Sequence, residues 1–187
     1  MKNINIIDTK LKGTKTEKNL WEAARAEGVA FAKYSAFSRE AKREGYEQIA
    51  AVFEKTADNE RVHAALWMRE LGIIRPDTRE NLINAAKTEK YEWSEMYERF
   101  ANVADEEGFA DIAEKMRGMA RIESAHEQRY REIIADLELM QVFCKPGETV
   151  WECRHCGNIY IGECAPEICP VSTHTQGFFE NRNENFR

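Results

Sequence analysis

Residues 56–63 read Thr-Ala-Asp-Asn-Glu-Arg-Val-His, and residues 119–126 read Met-Ala-Arg-Ile-Glu-Ser-Ala-His. Each stretch closes on Glu-x-x-His: Glu60 with His63, then Glu123 with His126. On a helix a spacing of three is about one turn, so carboxylate and imidazole share a face and can hold the same ion. One such pair in a glutamate-rich helix is usually accidental surface chemistry. Two copies carry more weight, because the text around them repeats at the same offset of 63: Tyr34 with Tyr97, Phe37 with Phe100, Glu44-Gly45 with Glu107-Gly108, Ile49-Ala50 with Ile112-Ala113, and Ala57 with Ala120. The repeat implies two similar helical hairpins.

From Leu20 to about Leu139 the chain is rich in Ala, Glu, Lys, Arg, Met and Leu, and apolar residues recur at helical spacing. Gly45, Gly72 with Pro76, and Gly108 interrupt that periodicity. Thr14-x-x-Glu17 and Asp77-x-x-Glu80 read as capping boxes. These signals place helices near 17–44, 46–71, 78–106 and 109–138. The expected fold class is an all-α four-helix bundle over residues 1–138, followed by a second, smaller domain.

The first helix adds Glu27 inside an Ala- and Phe-lined run, and the third adds Glu89, one residue away from its repeat position. One Glu, Glu-x-x-His, one Glu, Glu-x-x-His is the ligand set of ferritin-like di-iron and di-manganese bundles, and the assignment is a match to that described pattern. So many inward carboxylates need cations, since each left unpaired in a core costs several kcal/mol. Carboxylate with imidazole suits iron or manganese better than soft copper. Magnesium and calcium want all-oxygen sites, and zinc can occupy such a site adventitiously. Glu92, one turn after Glu89, faces the same way and is a seventh candidate ligand; its bland alternative is a solvated side chain.

After Leu139 the composition changes: Pro146-Gly147, Gly157, Gly162, Pro166 and Pro170 alternate with Val, Ile, Tyr and Trp. This is the second domain, residues 139–187, whose few large apolar side chains make it marginal without a staple. Cys153-Arg-His-Cys156, followed by Cys169-Pro-Val-Ser172, has the spacing of a tetrahedral metal site whose fourth thiolate is replaced by a hydroxyl. Expected ligands are Cys153, Cys156, Cys169 and, more weakly, Ser172, because a serine oxygen is harder and usually protonated. One iron, or zinc, would serve as the staple. Cys164 lies off the spacing, and Cys144 reads as a small buried hydrophobe. All five cysteines look like the thiols of a reducing compartment rather than a disulfide framework.

Through Glu27, Glu60-Arg-Val-His63, Glu89-Lys-Tyr-Glu92-Trp-Ser-Glu95-Met-Tyr97, Glu123-Ser-Ala-His126 and the cysteine-rich tail, the chain resembles the rubrerythrin family over nearly its whole length. The resemblance implies a ferritin-like bundle holding two iron ions and a rubredoxin-like β/loop domain holding one. It implies an oxidoreductase of oxidative-stress defence, a peroxidase that reduces hydrogen peroxide to water. Electrons would come from NAD(P)H through a partner protein of the rubredoxin reductase type and be relayed by the rubredoxin-like site. Glu92 and His63 would exchange at one iron as the redox state changes, Glu60 and Glu123 would bridge or chelate, and His126 would stay fixed. Tyr34 and Tyr97 match tyrosines beside that centre; from the residues alone they read as core packing with a satisfied hydroxyl.

Net charge is −6, from 27 basic and 33 acidic residues, with no free-standing basic block, which opposes a nucleic-acid partner. No apolar window approaches the ~18 to 20 residues of a membrane helix, and the opening MKNINIIDTKLKGTKTEK is too charged for a secretion leader, so a cytoplasmic protein is expected. In ferritin-like topology helices two and three run parallel and need a long crossover. From His63 to the end of its helix is roughly 12 Å, and from the start of the next helix to Glu89 roughly 17 Å. About seven extended steps across residues 72–77 reach only ~23 to 25 Å. The shortfall predicts a domain-swapped homodimer, each site taking Glu27, Glu60 and His63 from one chain and Glu89, Glu92, Glu123 and His126 from the other. Two competing functions come from other classes. One is a ferritin-like ferroxidase and iron-binding protein, which an appended relay argues against; the other treats the tail as a structural zinc knuckle for interactions.

Overall fold

The computed structural model describes residues 10–182, so the first half of the opening stretch read as unlike a leader lies outside the described residues. Thr14 caps α1 (Lys15–Arg43): its hydroxyl accepts the Glu17 N–H at 3.1 Å, while the Glu17 carboxylate accepts from Gly13 N–H at 2.6 Å. The box thus closes one residue earlier than the sequence pattern implies. The helix stops at Gly45, left-handed at φ +87°, where Tyr46 N–H turns back onto the Ala41 carbonyl at 2.8 Å. α2 (Glu47–Glu70) stops in the same way at Gly72, with Ile73 N–H on the Met68 carbonyl at 2.9 Å. Asp77 Oδ1 accepts the Glu80 N–H at 2.8 Å and opens α3 (Thr78–Tyr91), which passes through a π turn (Glu92–Met96) into α4 (Tyr97–Glu106). Phe109 N–H on the Ala104 carbonyl, 2.7 Å, then repeats the Gly45 turn before α5 (Ala110–Glu138). The four expected helices are present, the third interrupted by a π turn that helical periodicity does not announce.

By compactness the chain divides into two units, Met1–Asn81 and Leu82–Arg187. In the first, α1 and α2 meet along a seam of buried Ala24, Ala41, Ala50, Ala57 and Ala64. In the second, the buried helical positions include Ala86, Ala101, Ala104, Ala113 and Ala120. Side chains this small let backbones approach closely, and the large apolar groups stay outside the seams. Phe31, Phe37, Ile49, Val52, Val62 and Leu66 of the first unit are exposed, as are Phe100, Phe109, Ile112, Ile122 and Ile133 of the second. Ala24, Ala57, Ala86 and Ala120 each precede a glutamate by three residues: Glu27, Glu60, Glu89 and Glu123. Among the described residues no helix is long and apolar enough to cross a membrane.

The C-terminal residues form an antiparallel sheet in the order β2-β1-β3, from β1 (Cys144–Cys153), β2 (Ile159–Cys164) and β3 (Phe179–Asn181). Its core is Trp151, Cys153, Ala165, Cys169 and Phe179, with Phe143 packed against it. The indole of Trp151 donates to the Gly162 carbonyl at 3.0 Å, which lets a wholly buried tryptophan keep its hydrogen bond. Cys144 and Cys164 are register partners across β1 and β2 and form a disulfide, Cα to Cα 4.0 Å. This corrects the sequence reading: Cys144 is not a lone buried hydrophobe, its partner is Cys164, the cysteine off the metal-site spacing, and the thiols are not all free. The pairing depends on a register shift between Cys144 and Thr149, a tertiary detail invisible in a spacing of 20 residues.

Candidate metal centres

Glu27 on α1 and Glu60 and His63 on α2 each bring a donor atom within 4.8 Å of the other two. Glu60 Oε2 lies 3.0 Å from His63 Nδ1. Glu89 on α3 and Glu123 and His126 on α5 gather in the same way, with His126 Nδ1 at 2.8 Å from Glu123 Oε2 and 3.6 Å from Glu89 Oε2. Six of the expected bundle ligands are therefore brought together as two triples. The Glu27 carboxyl is held above the ordinary carboxylate range by a hydrogen bond with Glu60 and then by burial, and that of Glu89 by burial and then by Glu123. Carboxyls drawn together hold protons more tightly, and a divalent ion binding there would compete with that proton uptake. Oxygen donors with one imidazole per triple fit iron or manganese.

Glu92 stands outside the second triple, yet its carboxyl is pushed up by burial and by the charge of Glu123, so the two are neighbours. Burial, Glu123 and Glu92 likewise push the Tyr97 hydroxyl up, which keeps its proton in place at neutral pH. Tyr34 instead packs with Phe37 and Phe53, ring centroids 6.2 and 6.4 Å away.

A carboxyl whose folded pKa is raised favours the folded state while pH is low and loses that advantage as pH climbs through its folded value. At pH 7 the Glu89 charge is therefore a burden on the metal-free fold. Metal-free Glu89→Gln is expected to melt a few degrees above the metal-free parent at pH 7, the gap closing as pH falls into the carboxylate range. Thermal unfolding at both pH values checks this, and a variant that melts lower at pH 7 would refute it.

Two features escaped the sequence reading. Glu27 to Tyr34 is seven residues while Glu89 to Tyr97 is eight, and the extra residue falls where the π turn Glu92–Met96 lies. That slip in the repeat was the available signal. The other feature is Glu127, only 7% exposed, whose Oε2 accepts the Trp93 indole N–H at 2.7 Å and whose Oε1 accepts Arg131 Nε–H at 2.6 Å. Those donors, Trp93 first, hold its carboxyl below the ordinary range. A glutamate where the first hairpin carries Ala64 was its only trace.

In the C-terminal module the sulfurs of Cys153, Cys156 and Cys169 lie within 4.8 Å of one another, and Ser172 Oγ is 3.7 Å from Cys153 Sγ. Both knuckles close alike: Gly157 N–H donates to the Cys153 carbonyl at 2.8 Å, and Thr173 N–H to the Cys169 carbonyl at 2.9 Å. The donating residue is left-handed in each, φ +74° at Gly157 and φ +58° at Thr173, a strained conformation for a β-branched side chain. The second knuckle thus departs from the first at Ser172 and again at Thr173. A hydrogen bond from Ser172 is the foremost influence drawing the Cys169 thiol down to about 6. Three soft sulfurs with one facing oxygen fit iron or zinc, the oxygen as the weak fourth donor.

Residues 18–134 match the family model for rubrerythrin. Rubrerythrin-1 of Clostridium acetobutylicum is 40% identical over 192 residues, covering 94% of this chain and 98% of its own. The rubrerythrin of Porphyromonas gingivalis is 41% identical over 189 residues, covering 94% of each chain. A solved nigerythrin in a mixed-valence state aligns over 97% of this chain and 94% of its own at 31% identity, with a TM-score of 0.34. Given the family match across the helices and relatives of this identity along the whole chain, the protein is a ferritin-like helical bundle followed by a rubredoxin-like module and belongs to the rubrerythrin family.

Proposed function

We infer that the protein is a non-haem di-iron peroxidase, reducing hydrogen peroxide to water in oxidative-stress defence. What carries this reading is the pair of Glu, Glu, His triples at matching repeat positions, with Glu92 added to the second alone. When bound, two iron ions supply one electron each, the pair that reductive cleavage of an O–O bond consumes. The side chains bind and orient. Glu60 and Glu123 would hold the iron ions as the shared carboxylates, Glu27 and Glu89 would complete the triples, His126 would be a constant donor, and Glu92 and His63 would be alternative donors for one ion. Tyr97 keeps a proton on Oη and so can donate a hydrogen bond into the centre. Each peroxide takes up two electrons and two protons and leaves as two waters. Cys153, Cys156, Cys169 and Ser172 would hold one iron, which would supply one-electron transfer from an NAD(P)H-dependent, rubredoxin reductase type partner in the cytoplasm. Residues 1–138 form the di-iron domain and 139–187 the relay domain.

In this reading two copies assemble each bundle site by exchanging hairpins. α2 ends at Glu70 and α3 begins at Thr78, the bounds on which the chain-length argument rests. Each hairpin carries one triple of the ligands, with Glu92 added on the second, and leaves many large apolar side chains exposed. On the second hairpin these include a groove of about 510 Å³ lined by Phe100, Val103, Phe109, Ile112 and Met116. Matching apolar faces on both hairpins are what a second copy would cover.

The test is rapid mixing of anaerobically reduced, iron-loaded protein with hydrogen peroxide and, separately, with dioxygen. Oxidation of the bundle iron much faster by peroxide, with water as product, is expected. Faster oxidation by dioxygen, with iron retained in a shell-like assembly, would instead make this a ferroxidase and storage protein. At the sulfur site, Ser172→Cys is expected to strengthen iron retention against a chelator by about tenfold and to intensify the thiolate-to-iron absorption. Zinc in the parent, with no such absorption, would make the module a structural knuckle.

A further inference from the structure

The inserted residue of the second hairpin does not stand alone. Trp93 lies inside the π turn, and its indole N–H reaches across to Glu127 on α5, whose other oxygen is taken by Arg131. A π turn has poorer hydrogen-bond geometry than an α-helix and needs an outside reason to persist. A buried carboxylate likewise needs its oxygens satisfied, and here the π turn supplies one of the two donors. The first hairpin lacks both parts. Its helix has no π turn, and the positions matching Glu127 and Arg131 are Ala64 and Met68. Trp93 matches Ala30 or Phe31, depending on which side of the insertion the repeat is counted. Glu92, the carboxylate without a counterpart, is the residue next to Trp93, and His126 is the residue next to Glu127.

We propose that Trp93, Glu127 and Arg131 form a tether that holds the π turn against α5 and so sets where the Glu92 carboxylate stands relative to Glu123. The proposal rests on the reading of Glu92 as a ligand of the bundle centre. Trp93, Glu127 and Arg131 are positioning residues: among the described residues they hydrogen-bond to one another and belong to neither triple, and they act through the backbone on either side. Two hydrogen bonds to a buried carboxylate give a fixed geometry more than they give stability, which suits a part that must locate a neighbour. A single added residue thereby makes the second hairpin different from the first at one position.

The experiment is a double-mutant cycle on metal affinity, independent of turnover. The full-length chain, stripped of metal, is titrated with cobalt(II), whose visible bands report the geometry of each bound ion. Glu92→Ala is expected to weaken the second cobalt, and Trp93→Phe, which keeps an aromatic side chain but loses the indole N–H, to weaken it by about tenfold as well. The double variant should be no worse than Glu92→Ala alone. Amide exchange in the metal-free Trp93→Phe protein should quicken in the peptide covering residues 92–97 and nowhere else in the helices. Glu127→Leu, which removes both acceptor oxygens and leaves Trp93 in place, should reproduce the effect should Trp93→Phe fold poorly. A purely structural tether would lower the melting temperature and leave the two losses multiplying, which overturns the proposal. Unchanged affinity in Glu92→Ala overturns the ligand reading and the tether with it, whereas loss in Glu92→Ala beside normal binding in Trp93→Phe overturns the tether alone.

Discussion

A chain carrying Glu60→Ala and His63→Ala, refolded together with one carrying Glu123→Ala and His126→Ala, is expected to recover iron binding and peroxide reduction that neither has by itself. In a hairpin-exchanged mixed dimer, one site receives both damaged halves and the other receives both intact ones. Random pairing makes about half the dimers mixed, so about a quarter of all sites should be whole. If each site were built within one chain, every site would keep one damaged half and mixing would restore nothing. The readouts are iron per chain and peroxide turnover against the fraction of each chain added. Recovery should vanish when the two variants are mixed without unfolding, because exchange of whole hairpins needs the dimers to open.

The second large effect concerns the disulfide. Cys144 and Cys164 close a loop with a sequence separation of 20 that contains the whole first knuckle, a cross-link worth about 3 kcal/mol through the entropy of the unfolded chain. For a module of this size that is a large share of its stability. Changing both cysteines to serine is expected to lower the denaturant midpoint of the module while leaving that of the helices in place. Trp151, wholly buried in the module core, gives the optical signal, and helical circular dichroism gives the other. Coincident midpoints in parent and variant would show that the disulfide is dispensable. The staple expected from a metal is thus shared with a covalent bond, which offsets what the serine at position 172 gives up. Cys164 is exposed, so cellular thiols can reach the bond and the module's stability becomes tied to the local redox poise.

Much of the architecture was legible because it is written locally. The helices, their glycine stops and the capping residues Thr14 and Asp77 depend on neighbours within a turn, and each fell within a residue or two of its expected place. The two Glu-x-x-His pairs were legible for the same reason, since one helical turn brings their donors together whatever the rest of the chain does. Glu27 and Glu89 needed one further inference, the repeat, to join them. The features that stayed hidden are those decided across elements. The Cys144 to Cys164 bond follows from strand register, Trp93 meets Glu127 through helix packing, and Thr173 takes a left-handed turn that its side chain disfavours because the second knuckle copies the first.

The alanines that precede Glu27, Glu60, Glu89 and Glu123 have a consequence for what the centre can admit. Helices touching through methyl groups sit at the near end of the ~8 to 10 Å range of interaxial distances. Glu27 and Glu60, one turn beyond Ala24 and Ala57 on the closely packed α1 and α2, inherit that spacing, which is why their carboxyls crowd one another. Ala57→Val, at a buried position between α1 and α2, would prise its helix outward and widen the gap between Glu27 and Glu60. The ionic radius that the first triple admits would then depend on residues that never touch the ion.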